Sequence, residues 1–296
     1  MFDVLFAGLH FRLHGEQTQL RGFHTARRAL SPLPADAQPL AEVVCELQTA
    51  PSVTAERWAG HPIEWSWQGA SGQVRTRHFQ ANIEQLGPRQ FAVQTHLAAD
   101  PHAATTLLSA VAPPLLHALG GAVLHAASVE LEGRAVVFVG PSGAGKSTAC
   151  QHVAGALWYS LDRLAVAPAP DTGSGAAGYL ACPLPGGKGW QGDAPGSSCA
   201  TLPLAAILRV VQSSPGPRLA PCAAHRCLSL LRQAAVHGDR SAASEQALLS
   251  ALEALSRTVA VGTLEFALED ELRPGIERFL TAFSQKRVRI MKGSAS

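Results

Sequence analysis

The sequence predicts a mixed fold, an α/β domain preceded by a smaller β-rich domain. Three observations lead there. Residues 1 to about 100 alternate short β-like runs with turns and carry no helix-length apolar stripe. Residues 134–168 then read strand, glycine loop, helix, strand, the repeating unit of α/β domains. Residues 222–285 add helical stripes around one late strand.

In chain order, "DVLFAGLHFRLHG" is the first β-like run, and "PIEWSWQGASGQVRTRHFQ" has the texture of a hairpin turning about Gly69 to Gly72. "RQFAVQTHL" is another run. No catalytic constellation stands out in this part. Trp58, Trp65 and Trp67 could line a ligand surface, but Trp65 and Trp67 share one face of a strand and read as core packing. "DPHAATTLLSAVAPPLLHALG" opens with a capping Asp and a Pro and has helical spacing; Pro113 and Pro114 are expected to break or kink it. The domain boundary falls between 100 and 120, giving a β-rich domain over 1–105 and a second domain over 106–290, with 291–296 as a tail.

After Gly120 and Gly121, the runs "AVLHAASVEL" and "RAVVFVG" flank a Glu132-Gly133 turn. A helix is expected from Lys146 to about Ala156, followed by the run "ALWYSLDRLAV". Pro168 to Ser198 is rich in Gly, Pro, Ser and Ala and reads mostly as loop. "PLAAILRVVQ" returns to strand, "CAAHRCLSLLRQAAVHG" and "SEQALLSALEALSR" to helix, "VAVGTLEFAL" to strand, and "DELRPGIERFLTAFSQ" closes as helix.

Composition narrows the function classes. Of the 296 residues 47% are hydrophobic and 16% charged, a globular balance with a core of useful size. A formal net charge of +2 is too small to argue for nucleic acid or an anionic membrane surface. The N-terminus has no basic region ahead of its apolar residues and reads as a strand, and no apolar run approaches the ~20 residues of a spanning helix. Six cysteines show no paired spacing; "CAAHRC" is weak evidence for zinc, and buried thiols are the better reading. The twelve histidines show no metal-ligand spacing. A cytoplasmic protein is expected.

The chemistry is concentrated in "VVFVGPSGAGKSTACQ", where Gly140 to Ser147 fits G-x-x-x-x-G-K-[ST] between a buried strand and a helix. Gly140, Ser142, Gly143, Ala144 and Gly145 would turn backbone N–H groups around a phosphate. Lys146 would reach the β- and γ-phosphates and Ser147 would ligate Mg²⁺, with Thr148 beside it. The surroundings separate the usual hosts of this loop. The chain has no "LSGGQ"-like signature and no apolar strand ending in Asp-Glu, as transporter ATPases have, and no N-K-x-D motif of a GTPase.

The flanking residues carry a resemblance. "VLHAASVELEGRAVVFVGPSGAGKST" resembles the kinase domain of HPr kinase/phosphorylase and its shorter HPr-kinase-like relatives, with His125 fifteen residues before Gly140. "YSLDRLAV" resembles the family's acidic strand end, with Ser160, Leu161 and Asp162 at the matching positions. "CPLPGGKGWQGDAPGSSCATLPLAAILRV" and "VAVGTLEFALEDELRPGIERFL" resemble later segments of the shorter relatives, so the likeness spans about 120–285. It implies a P-loop kinase fold related to ATP-dependent phosphoenolpyruvate carboxykinase, with ATP and Mg²⁺ as cofactors and a serine on a protein or peptide as acceptor. HPr itself is not the expected substrate, because the shorter relatives often accompany peptide-modification systems. Self-association would fit the hexamers of the HPr kinases.

Residue roles follow. A serine hydroxyl is a poor nucleophile, so a carboxylate within hydrogen-bond reach must take its proton. Asp162 is the one carboxylate in its run that could act as base or metal ligand, and His125 could orient it or help neutralise transferred charge. Leu161 replaces the first aspartate of the family's pair. Shifting the register by one, to pair Asp162 and Arg163 with the two positions, also leaves a single acid. Asp171 and Asp193 are candidates for the missing acid only by proximity in sequence. Gly186, Gly187 and Lys188 read equally as a loop over the phosphates and as ordinary surface. Three functions stay open: a serine kinase of proteins or peptides, an ATP-binding regulatory protein that has lost catalysis, and, more weakly, small-molecule phosphotransfer.

Overall fold

The computed structural model describes residues 1–16, 20, 39–49, 63–76, 79–97, 103–160, 162–169, 178–184, 201–213, 216–236, 242–267 and 270–293. It is a mixed α/β structure with two sheets. The first contains β1 (Phe2–Phe6), β2 (Leu9–His14), β3 (Ala41–Thr49), β4 (Glu64–Gln68), β5 (Ser71–Arg75), β6 (Phe79–Gly87) and β7 (Gln90–Leu97). Their spatial order is β1-β2-β3-β7-β6-β5-β4.

The period-2 pattern explains this sheet. In β3, Ala41, Val43, Cys45 and Leu47 point inward while Glu42, Val44, Glu46 and Gln48 point outward. In β6, Phe79, Ala81 and Ile83 are buried and Gln80, Asn82 and Glu84 exposed. The run expected as one strand at the start is a hairpin. Ala7 and Gly8, both at positive φ (55° and 76°), turn β1 into β2, as two-residue hairpin loops require. β4 and β5 form the hairpin read from the sequence, turning at Gly69 and Ala70 between Gln68 and Ser71. Trp65 and Trp67 are half-buried against the core, as read. A Cβ on Gly72 would come within 2.2 Å of the Trp67 ring, so only glycine lets the indole lie flat across β5.

Helix α1 (Ala103–Ala118) lies between the two sheets. Its Leu107, Leu108, Val111, Leu115 and Leu116 join one cluster with Phe11, Val43, Phe79 and Phe91 of the first sheet and Val123, Ala165 and Cys182 of the second. Pro113 and Pro114 do not end this helix, contrary to expectation. Ala110, Val111, Ala112, Leu115 and Leu116 are all buried around the pair, and that burial outweighs the donors the prolines remove.

The second sheet contains β8 (Ala122–Leu131), β9 (Arg134–Val139), β10 (Leu157–Ser160), β11 (Arg163–Pro168), β12 (Tyr179–Pro183), β13 (Leu202–Gln212), β14 (Arg218–Pro221) and β15 (Ala260–Phe266). The N-terminal half of β8 pairs with β11 and its C-terminal half with β9 and β10. β13 lies parallel to both β9 and β15. The pairings run β8-β11-β12-β13-β9 and back to β8, closing a ring of strands. Helices α2 (Lys146–Gln151) and α5 (Arg273–Gly293) cover one face; α3 (Ala224–Ala234) and α4 (Ala242–Thr258) cover the other. Both faces of β9 are therefore buried: Val136 and Phe138 in one cluster, Val137 and Val139 in the other. That is why "AVVFV" is apolar without alternation.

Four expectations change. α2 stops at Gln151 instead of reaching Ala156, because the carbonyl of His152 accepts from the N–H of Leu272 and Gly155 turns the chain at φ 70°. "ALWYSLDRLAV" is two strands, β10 and β11. The loop-like region after Pro168 contains β12, whose Tyr179, Ala181 and Cys182 are buried. The closing helix runs to Gly293, past Gln285 and into the part read as a tail, since 285–292 contains no Gly or Pro. Among the described residues, no helix is long and apolar enough to cross a membrane.

Candidate nucleotide site

β9, flanked by β8 and β13, delivers the chain to the phosphate loop. Gly143 (φ 79°) and Gly145 (φ 94°) adopt the left-handed conformation that side chains resist, so the loop can coil where other residues would strain. Gly140 is close-packed: a Cβ there would lie 3.1 Å from Ala144 Cβ. The loop tightens through Ala144 N–H donating to Pro141 O at 3.2 Å. Ser142, Gly143 and Ser147 are exposed, and Thr148 is half-buried.

Lys146 is 8% exposed, and its ammonium donates to Gly140 O (2.9 Å) and Pro141 O (3.1 Å). It closes on carbonyls of its own loop, where a phosphate oxygen would compete for the same donors. Burial lowers its pKa from the ordinary lysine value, while the charge of Asp162 pulls the other way.

Strand pairing links Asp162 to the start of the loop. Asp162 lies in the break between β10 and β11. Its carbonyl accepts from Ala126 N–H at 3.0 Å, and Ala126 pairs on its other side with Val139, the last residue of β9. Arg163 stands opposite His125 in the β11–β8 register. Ser160 Oγ donates to Arg163 O at 2.7 Å across the break. These bonds bring the Asp162 carboxylate to His125 Nδ1 (3.3 Å) and to Arg163 Nε (3.5 Å). The Asp162 side chain is 26% exposed and that of His125 47%, so both can be reached from solvent.

The structure thus brings His125 and Asp162 together, on the strand beside the one that leads into the loop of Lys146. Leu161, Asp171, Asp193 and the Gly186-Gly187-Lys188 stretch lie outside the described residues, as does Trp58. Among the described residues, no group of three or more His, Cys, Asp or Glu side chains could hold a metal ion. Mg²⁺ takes one or two protein oxygen ligands and fills the rest with water and phosphate, so Ser147 and Asp162 could serve it without such a cluster.

Three further residues border the site. Arg163 follows Asp162 directly and holds its second oxygen. Gln212, at the end of β13, and Phe266, at the end of β15, flank Gly145. A polar residue closing an apolar strand was the available signal for Gln212, and it has meaning only once β13 is known to lie beside β9. In "CAAHRC", Cys222 precedes α3, Cys227 is in its first turns, and Cys227 Sγ donates to Cys222 O at 3.5 Å. No protein-family model matches the chain, and no curated protein matches it.

Proposed function

We propose that the protein is an ATP- and Mg²⁺-dependent kinase of serine in a protein or peptide, built on an HPr-kinase-like plan. The observation that carries this reading is the His125–Asp162 pair, held against Ala126, whose strand partner Val139 leads into the phosphate loop. The serine hydroxyl attacks the γ-phosphorus, its proton passes to the Asp162 carboxylate, and the bond to the ADP oxygen breaks. His125 and Arg163 fix the orientation of Asp162, each from one oxygen. Lys146 leaves the Gly140 and Pro141 carbonyls for the phosphates. Mg²⁺, held by Ser147 with Asp162 in support, would neutralise the phosphate charge. Five described cysteines carry free thiols, which suits the reducing cytoplasm where such a kinase would work.

One observation favours a second reading. With Leu161 in place of an aspartate, Asp162 would serve as both base and ligand, and a protein that binds ATP without transferring it is the alternative. The test is incubation with Mg²⁺, γ-labelled ATP and lysate of the source cells, followed by mass spectrometry. The kinase reading expects phosphoserine on a small protein with the parent and none with Lys146→Ala. Bound ATP without transfer would favour the regulatory reading, and a parent that binds no ATP would defeat both.

A further inference from the structure

Gln212 ends β13, the strand parallel to β9 and paired with it up to Arg209 opposite Val139. The chain then carries Gln212 beyond the level where β9 gives way to the phosphate loop. Val210, two residues earlier and so on the same face, already touches this loop: its Cγ2 lies 3.5 Å from where a Cβ on Gly140 would be. Gln212 continues along that face. Its Nε2 stands 3.2 Å, and its Cγ 3.6 Å, from the position of a Cβ on Gly145, the residue before Lys146.

The strand end beneath this side chain is fixed. Gln212 pairs with Phe266, whose ring is buried, and Ser213 N–H donates to Phe266 O at 3.0 Å. The carboxamide itself is exposed, and none of the described residues hydrogen-bonds it. A free amide on a rigid base beside a loop shaped for anions is placed to donate.

We propose that Gln212 contacts the nucleotide: its carboxamide N–H donates to an oxygen of the phosphate chain, from the β13 side of the loop, across from Asp162 on the β8 side. The inference rests on the nucleotide site proposed above. A neutral donor adds a hydrogen bond to a charged acceptor without a second cation to compete with Lys146.

The test is calorimetric titration of Mg²⁺-ATP into the parent, Gln212→Ala and Gln212→Glu, with melting temperatures of the free proteins alongside. Loss of one charge-assisted bond should weaken binding by Gln212→Ala about tenfold. Gln212→Glu should bind more weakly than the alanine variant, since a carboxylate would face the phosphates. Both free proteins should melt with the parent, because the side chain is exposed. If both variants bind ATP as the parent does while Lys146→Ala does not, Gln212 is an ordinary strand end and the inference fails, with the nucleotide site intact. A parent that binds no ATP would remove the site itself.

Discussion

The two sheets solve different problems with similar strands. The first is covered on one side: β3 and β6 bury every second residue and turn Glu, Gln and Asn outward. The second is covered on both, so β9 is apolar from Ala135 to Val139 and has no side chain there to spare for chemistry. The groups proposed to act there lie mostly where strands stop. The phosphate loop follows Val139, Asp162 sits in the break between β10 and β11, and Gln212 closes β13. Within a fully buried layer, strand ends are the positions that can be both rigidly held and wet. His125 is the exception, a mid-strand residue left exposed beside the break.

The contrast can be attacked first through the cores. Phe138→Ala, in β9, should cost about 3–5 kcal/mol of stability, because its ring is fully buried between β9 and the helices α2 and α5. Denaturant unfolding would measure it, and a loss under 1 kcal/mol would mean the layer is not packed as described. Lys146→Ala should instead leave the fold standing and weaken ATP binding about a hundredfold, the effect of losing a charged donor to phosphate. Equilibrium titration reads that directly.

A smaller effect should be common to both sheets. Burial pushes the thiols of Cys45, in the first sheet, and Cys150, beneath the second, up to about 12 from an ordinary 9.0. Above pH 9 the unfolded chain loses these protons before the folded one does. The stabilisation is complete below pH 9 and falls as the pH rises toward 12, by about 1 kcal/mol per thiol between pH 9 and pH 10. Urea midpoints at the two pH values should show it, and Cys45→Ala and Cys150→Ala should each flatten the decline by a similar amount. Smallest of all, Asn82→Ala on the polar face should change stability by less than about 0.5 kcal/mol, despite the bond from Gln73 Nε2 at 2.9 Å, because that face is solvated.

The two sheets also differed in how legible they were. Alternation flanking a glycine turn makes the "EWSWQ" hairpin legible, whereas "AEVVCELQT" has the same period without such a turn beside it. β12 was hidden by composition: Tyr179 to Pro183 stands among Gly, Ala and Pro, and its identity as a strand comes from pairing with β11 and β13. Pro113 and Pro114 misled because local propensity speaks for an isolated helix, not for one enclosed by two sheets. At the site, the loop and the candidates His125 and Asp162 were visible, the first from its motif and the others from the spacing of a resemblance. Gln212 is not, since its position at the site arises from which strands lie side by side, a long-range property that no local pattern encodes.

In the proposed mechanism Asp162 takes the acceptor's proton at the nucleotide site and does not merely shape it. The most direct measurement compares Asp162→Asn with the parent, for Mg²⁺-ATP binding by titration and for transfer of labelled γ-phosphate to the acceptor. The amide keeps the shape and removes the base, so ATP affinity should stay within about threefold while transfer falls by ~10²–10⁴. Transfer at the parent's rate by Asp162→Asn would mean that Asp162 is not the base.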